Sequence, residues 1–155
     1  MDQTTFIAWW GAIVATIVFA WDIYKWKTDG AKLNVQLAPN MQSIGDPRRD
    51  GITWVSVTVT NIGSRPSTIK SVGMWYYKSW LNFMRQKPDH AAIFPSPNDN
   101  FPLPRVINPG EEWIGLVPQD RLYESIEHSI SGRLTIWLSH SQSNKPIRKL
   151  LIIPR

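Results

Sequence analysis

The chain of 155 residues contains no cysteine. Disulfides, thiolate metal sites and cysteine nucleophiles are thereby excluded. Histidine is nearly as scarce. His90, His128 and His140 are the whole set, and no two stand at a metal-ligand spacing. A metal centre therefore has no support in the sequence. The nucleophile elbow G-x-S-x-G, the phosphate-binding P-loop and the dinucleotide fingerprint are missing as well. The expectation is a non-enzymatic protein with no cofactor. Glu124, Glu127 and His128 lie close together, but on a predicted helix they read as a solvated face. Charge is absent from residues 3–21, although the whole chain carries a formal +5. Seven prolines fall between residues 88 and 118, which excludes a long helix there.

The uncharged stretch is the strongest positive feature. From Phe6 to Trp21 it reads FIAWWGAIVATIVFAW. A helix over Thr4–Trp26 would be about 34 Å long, against a hydrocarbon core of about 30 Å. Its ends carry amphipathic rings: Trp9 and Trp10 on one side, Trp21, Tyr24 and Trp26 on the other. Such rings prefer the headgroup regions, and Lys25 and Lys27 can extend their ammonium groups to water. A cleavable signal needs a basic start and a small-residue cleavage site, and MDQTT supplies neither. An interfacial helix needs a charged face, which is also missing. The reading is a transmembrane helix over residues 4–27, a linker over 28–32 and a β domain over 33–155. Lys25, Lys27 and Lys32 follow the helix, so the β domain is expected on the cytoplasmic side of an inner membrane, with the N-terminus outside.

The span also has sides. Ala8, Ala12, Thr16 and Ala20 recur every four residues, with Gly11 and Ala15 on the adjacent row. Small residues at this spacing let helix backbones approach closely, so self-association into a homo-oligomer is expected. In such a cluster Asp22 would form a ring that favours cations.

After the linker the pattern changes from helical to alternating. Leu33, Val35 and Leu37 predict a first strand, followed by a loop over 39–51. Ile52 to Thr60 is the best strand, with Val55, Val57 and Val59 on one side. Asn61-Ile62-Gly63-Ser64-Arg65-Pro66 is turn chemistry before a strand over Ser67–Tyr77. Further strands are expected over Glu112–Val117, around Leu134–Leu138 and over Ile147–Ile153, the last two as a hairpin. A short helix is expected over Gln119–Ile130. The fold class is mainly β: an antiparallel Ig-like sandwich behind one helix, with a small barrel as runner-up. Trp54, Trp75, Trp113 and Trp137 lie in predicted strands and are assigned to the core by default; an aromatic surface that stacks on a base is the alternative.

The segment VSVTVTNIGSRPSTIKSVGMWYY at residues 55–77 resembles small bacterial and phage membrane-anchored proteins of unknown function, in which a strand passes through Asn-x-Gly-x-x-Pro to a second strand. WWGAIVATI at residues 9–17 and the late hairpin around Gly132–Arg148 fit the same layout. The resemblance implies an Ig-like sandwich and an accessory or defence-associated setting. It transfers no active-site residue.

Four functions follow for testing. The first is a self-associating membrane protein whose cytoplasmic β domain binds a partner or ligand, with an effector role in anti-phage defence. The second is a sensor of a cyclic-nucleotide messenger, with Arg48, Arg49, Arg65, Lys145, Arg148 and Lys149 as candidate contacts to an anionic ligand or to membrane lipid. The third is an anchor that positions a second protein subunit. A membrane enzyme is the least favoured. No dense basic run marks a nucleic-acid binder.

Overall fold

The computed structural model describes residues 2–45, 50–124 and 132–152. Among the described residues one long helix, α1 (Gln3–Thr28), precedes a domain of eight strands and two short helices. Its segment Gln3–Trp26 is long and apolar enough to cross a membrane, and none of it is buried. Thr16 donates its hydroxyl to the Ala12 carbonyl at 2.8 Å, which satisfies the polar group within the helix.

The strands form two antiparallel sheets. The first holds β1 (Leu33–Gln42), β2 (Thr53–Asn61) and β6 (Glu112–Pro118) in the order β1-β2-β6. The second runs β4-β3-β7-β8, with β3 (Ser67–Tyr77), β4 (His90–Phe94), β7 (Arg133–His140) and β8 (Ser143–Leu151). The three-residue β5 (Arg105–Ile107) pairs with the start of β3. This is a two-sheet Ig-like sandwich and not a closed barrel.

The core lies where the expected alternation puts it. Val55, Val57 and Val59 of β2 meet Val72, Met74 and Tyr76 of β3 and Leu134, Ile136 and Leu138 of β7. Trp113 joins them and donates its indole N–H to the Phe101 carbonyl at 2.9 Å. Trp75 and Trp137 do not: in-facing neighbours on both sides force them onto the outer face of the second sheet, and both are half-buried there. Trp54 is half-buried too and lies outside the core cluster. The core assignment of these three tryptophans is therefore corrected.

Other details go beyond or adjust what the sequence predicts. The loop expected over 39–51 begins later, because β1 continues to Gln42 through a bulge. Asn40 takes a positive φ of 58° in that bulge and exchanges two hydrogen bonds with the buried Gln119, at 2.9 and 2.8 Å. The irregular stretch after Tyr77 contains α2 (Trp80–Met84), capped by Ser79, which accepts from the Asn82 N–H at 3.2 Å. Asp89 secures this helix by accepting from the Lys78 N–H at 2.7 Å and from the Asn82 amide, and these bonds hold its carboxyl below the usual range. His90 opens β4. The helix α3 is described over Gln119–Glu124; the rest of the expected helix, with Glu127 and His128, lies outside the described residues.

The β7–β8 hairpin turns tightly at Ser141 and Gln142, where His140 Nδ1 accepts from the Gln142 N–H at 3.2 Å. Burial, assisted by the nearby Lys70 charge, holds the His140 pKa below its ordinary value of 6.5. A histidine with a lowered folded pKa stabilises the fold fully above its unfolded pKa, and less as pH falls through the folded value. Thermal stability should therefore drop as pH falls below about 6.5. In a pH series of melting temperatures, His140→Gln should lack this component.

Candidate functional site

The helix, the junction behind it and two surfaces of the sandwich carry the candidate sites. On the helix, Ala8, Gly11, Ala12, Ala15, Thr16 and Ala20 are all exposed in the single chain. Gly11 and Ala15 floor a shallow groove flanked by Trp10, Val14, Val18 and Phe19, with Asp22 at its end. Trp9, Trp10, Trp21, Tyr24, Lys25 and Trp26 are exposed as well, and the Trp21 and Tyr24 rings lie 6.0 Å apart. Lys27 is within the last turn of the helix, but its side chain lies outside the described residues.

The expected linker is not a free tether. The Ile62 N–H donates to the Lys32 carbonyl at 2.8 Å and the Ser64 N–H to the Gly30 carbonyl at 3.1 Å. Gly63 lies between them, and a Cβ there would overlap backbone atoms of Gly30, Ala31 and Lys32. Beneath this contact Asn61 is 0% exposed. Its amide donates to the carbonyls of Arg65 at 2.8 Å and Ile107 at 3.0 Å, while its oxygen accepts from the Gly63 N–H at 3.0 Å. Its backbone binds the next loop as well: the Asn61 N–H donates to Glu111, and the Asn61 carbonyl accepts from Gly110. The Asn-x-Gly unit, read from the sequence as a turn, is thus the joint between helix and domain.

A cleft of about 880 Å³ opens on the side of the sandwich where the edges of β4 and β6 face each other. Met74, Val117 and Leu122 reach it from the core, and Trp54, Phe94 and Leu116 add to its apolar wall. Asp99 and Asp120 are its only charged lining residues among those described. Its size and apolar character suit a small ligand.

The outer face of the second sheet is the other surface. Gly73 lies opposite Trp137, and Trp75 lies opposite Thr135. A Cβ on Gly73 would strike the Trp137 indole, so the glycine lets that ring lie flat on β3. The Trp75 and Trp137 ring centroids are 5.7 Å apart at 31°. The Arg148 guanidinium lies 5.6 Å from the Trp75 ring centroid, and its charge acts on the Tyr77 hydroxyl. Burial raises the Tyr77 pKa, and the Arg148 charge partly offsets that rise. Arg133 repeats the arrangement at 5.2 Å over Phe83, which itself meets Tyr77 edge-on.

The six basic residues expected to contact an anion do not converge. Arg65 is exposed in the β2–β3 turn, and Lys145, Arg148 and Lys149 are exposed on the edge strand β8. Arg148 and Lys149 are adjacent in that strand and point to opposite faces. Arg48 and Arg49 lie outside the described residues. Arg148 alone meets the aromatic face, with Arg133, which its ring partner singles out only in three dimensions. The parity of Trp75 against Met74 and Tyr76 was the signal that could have found this face. Among the described residues no group of three acidic or histidine side chains could hold a metal ion. The chain matches no protein-family model and no curated protein.

Proposed function

We propose that this chain is a non-enzymatic single-pass membrane protein that self-associates through α1 and relays binding on its β domain to the helix. The observation that carries the reading is the joint at Gly63. A domain that needed only to be tethered could hang on a loose linker. Here the residues leaving the helix are bonded to a turn that is itself tied to β5 and the β5–β6 loop. Strain on the domain therefore reaches the helix through backbone contacts. Lys25 and Lys32 support a cytoplasmic domain by the positive-inside rule. The small-residue strip and the groove over Gly11 and Ala15 support helix pairing. The mechanism requires a ligand that prefers one assembled state, because equal affinity for both shifts nothing. A role as a membrane effector in anti-phage defence is the setting in which such a relay would act.

The absence of native cysteine gives a clean test. Single substitutions Ala8→Cys, Ala12→Cys and Ala20→Cys should crosslink several-fold faster in membranes than Trp9→Cys or Ile13→Cys. Equal rates at all five positions would remove the self-association reading.

A further inference from the structure

We propose that the outer face of the β4-β3-β7-β8 sheet binds single-stranded nucleic acid, with Trp75 and Trp137 stacking on bases and Arg148 holding a phosphate. This names a ligand class for the relay described above.

The first argument is charge. The five strands of this sheet contain no aspartate or glutamate. Of their basic residues, Lys70, Arg133 and Arg148 lie on the outer face, while Arg105 and Lys149 share the parity of Ile107 and Leu151 and point the other way. The opposite sheet has only Glu112 among its strand residues, so the strand charge of the domain is segregated by sheet. A cationic surface of this kind attracts a phosphate backbone whatever its sequence.

The second argument is the aromatic floor. Trp75 and Trp137 lie on the two central strands of the four-strand run. Aromatic rings on the central strands of a four-stranded antiparallel sheet are a recurring way to stack exposed bases, because every base offers a π-face. Gly73 makes room for the Trp137 ring to lie on the sheet. Arg148 lies over the Trp75 ring on an exposed strand, where its guanidinium can meet a phosphate beside a stacked base. Arg133 supplies a second guanidinium on the same face. Thr135 Oγ1 and Trp137 Nε1 also belong to this face and are buried with no hydrogen-bond partner among the described residues. Thr135 is 3% exposed. A polar ligand that reorders the side chains above them would relieve both.

Two competing occupants fit less well. Small molecules bind in concave sites, and this face is a sheet surface, unlike the cleft at the β4 and β6 edges. Insertion into headgroups calls for protruding apolar groups; Ile93 and Leu150 are exposed at the two margins of this face, but the central Trp137 ring lies against Gly73.

The test uses the full-length chain in phosphatidylcholine nanodiscs and a fluorescent oligo(dT) or oligo(rU) of roughly ten nucleotides. Anisotropy at low salt should show saturable binding. Trp75→Leu and Trp137→Leu should each weaken it about tenfold or more, and Trp75→Phe should retain most of it. Arg148→Gln should weaken binding and lower the slope of log affinity against log salt by about 0.7. Arg65→Gln, in the β2–β3 turn, should change affinity by less than about twofold. Melting curves identify variants that fail to fold; for those, quenching of wild-type indole fluorescence by the oligonucleotide reads the same contact. Absence of binding, unchanged affinity in folded Trp75→Leu and Arg148→Gln, equal affinity for uridine monophosphate, or binding only to phosphatidylserine vesicles would each overturn the proposal. The assay does not depend on helix pairing, so it and the crosslinking test fail independently.

Discussion

Replacing Asn61 by Asp is expected to cost about 4 kcal/mol, a large fraction of the roughly 5–15 kcal/mol that holds an ordinary domain together. Asn61 is wholly buried and uses both ends of its amide. The amide nitrogen faces the Arg65 and Ile107 carbonyls. Aspartate would put a carboxylate oxygen against those two acceptors in a site without water access. The chain could then either bury an unpaired charge or take up a proton and keep one of the two bonds. Asn61→Leu loses the same bonds but buries no charge, so it should cost less, about 2–3 kcal/mol. Chemical denaturation of the three proteins checks the order. If Asp and Leu prove equally mild, the buried amide does not hold the joint.

Gly63→Ala is expected to cost about 3 kcal/mol, by overpacking rather than by lost hydrogen bonds. The added methyl would overlap backbone atoms of Gly30, Ala31 and Lys32, which have no rotamer to yield. Relief requires the linker to leave the turn and break the bonds from Ile62 and Ser64. The sandwich core need not change, so part of the cost is expected to appear as local opening. Limited proteolysis should then cut near residues 29–32 faster in Gly63→Ala than in the wild type, while Gly45→Ala, which is strained by its φ of 88° but meets nothing within 4 Å, should leave cleavage at 29–32 unchanged. Identical cleavage in Gly63→Ala and wild type would show that the contact is dispensable. Asn61 and Gly63 share a hydrogen bond, so the double variant should be less destabilised than the sum of the two.

The parts of the fold that repeat were legible in the sequence. Val55, Val57 and Val59 alternate over a full strand, and β2 lies within one residue of its expected bounds. The strand Ser67–Tyr77 is found as expected, as is the final hairpin. The missed elements are short. β4 and β5 have five and three residues among prolines, too few to show a period, and they exist because β3 offers them edges to pair with. The tryptophans were misplaced because residue type was weighed above parity. Tyr76 and Met74 point into the core, so Trp75 must point out, and the same holds for Trp137 between Ile136 and Leu138. The joint was legible only as a turn, since nothing local to Gly63 reveals that Gly30 will lie against it.

The edge of β6 has a consequence for chains confined to a plane. The Leu116 N–H donates to the Pro97 carbonyl at 2.6 Å, and Asn98 donates to the Ile114 carbonyl at 2.7 Å. The loop over 95–98 thus occupies hydrogen-bonding groups that would otherwise be open to a neighbouring strand. Molecules restricted to two dimensions and sharing one orientation collide side by side far more often than free ones, and an open ladder would let them polymerise into ribbons. With that flank sealed by proline and asparagine, lateral strand pairing is blocked there.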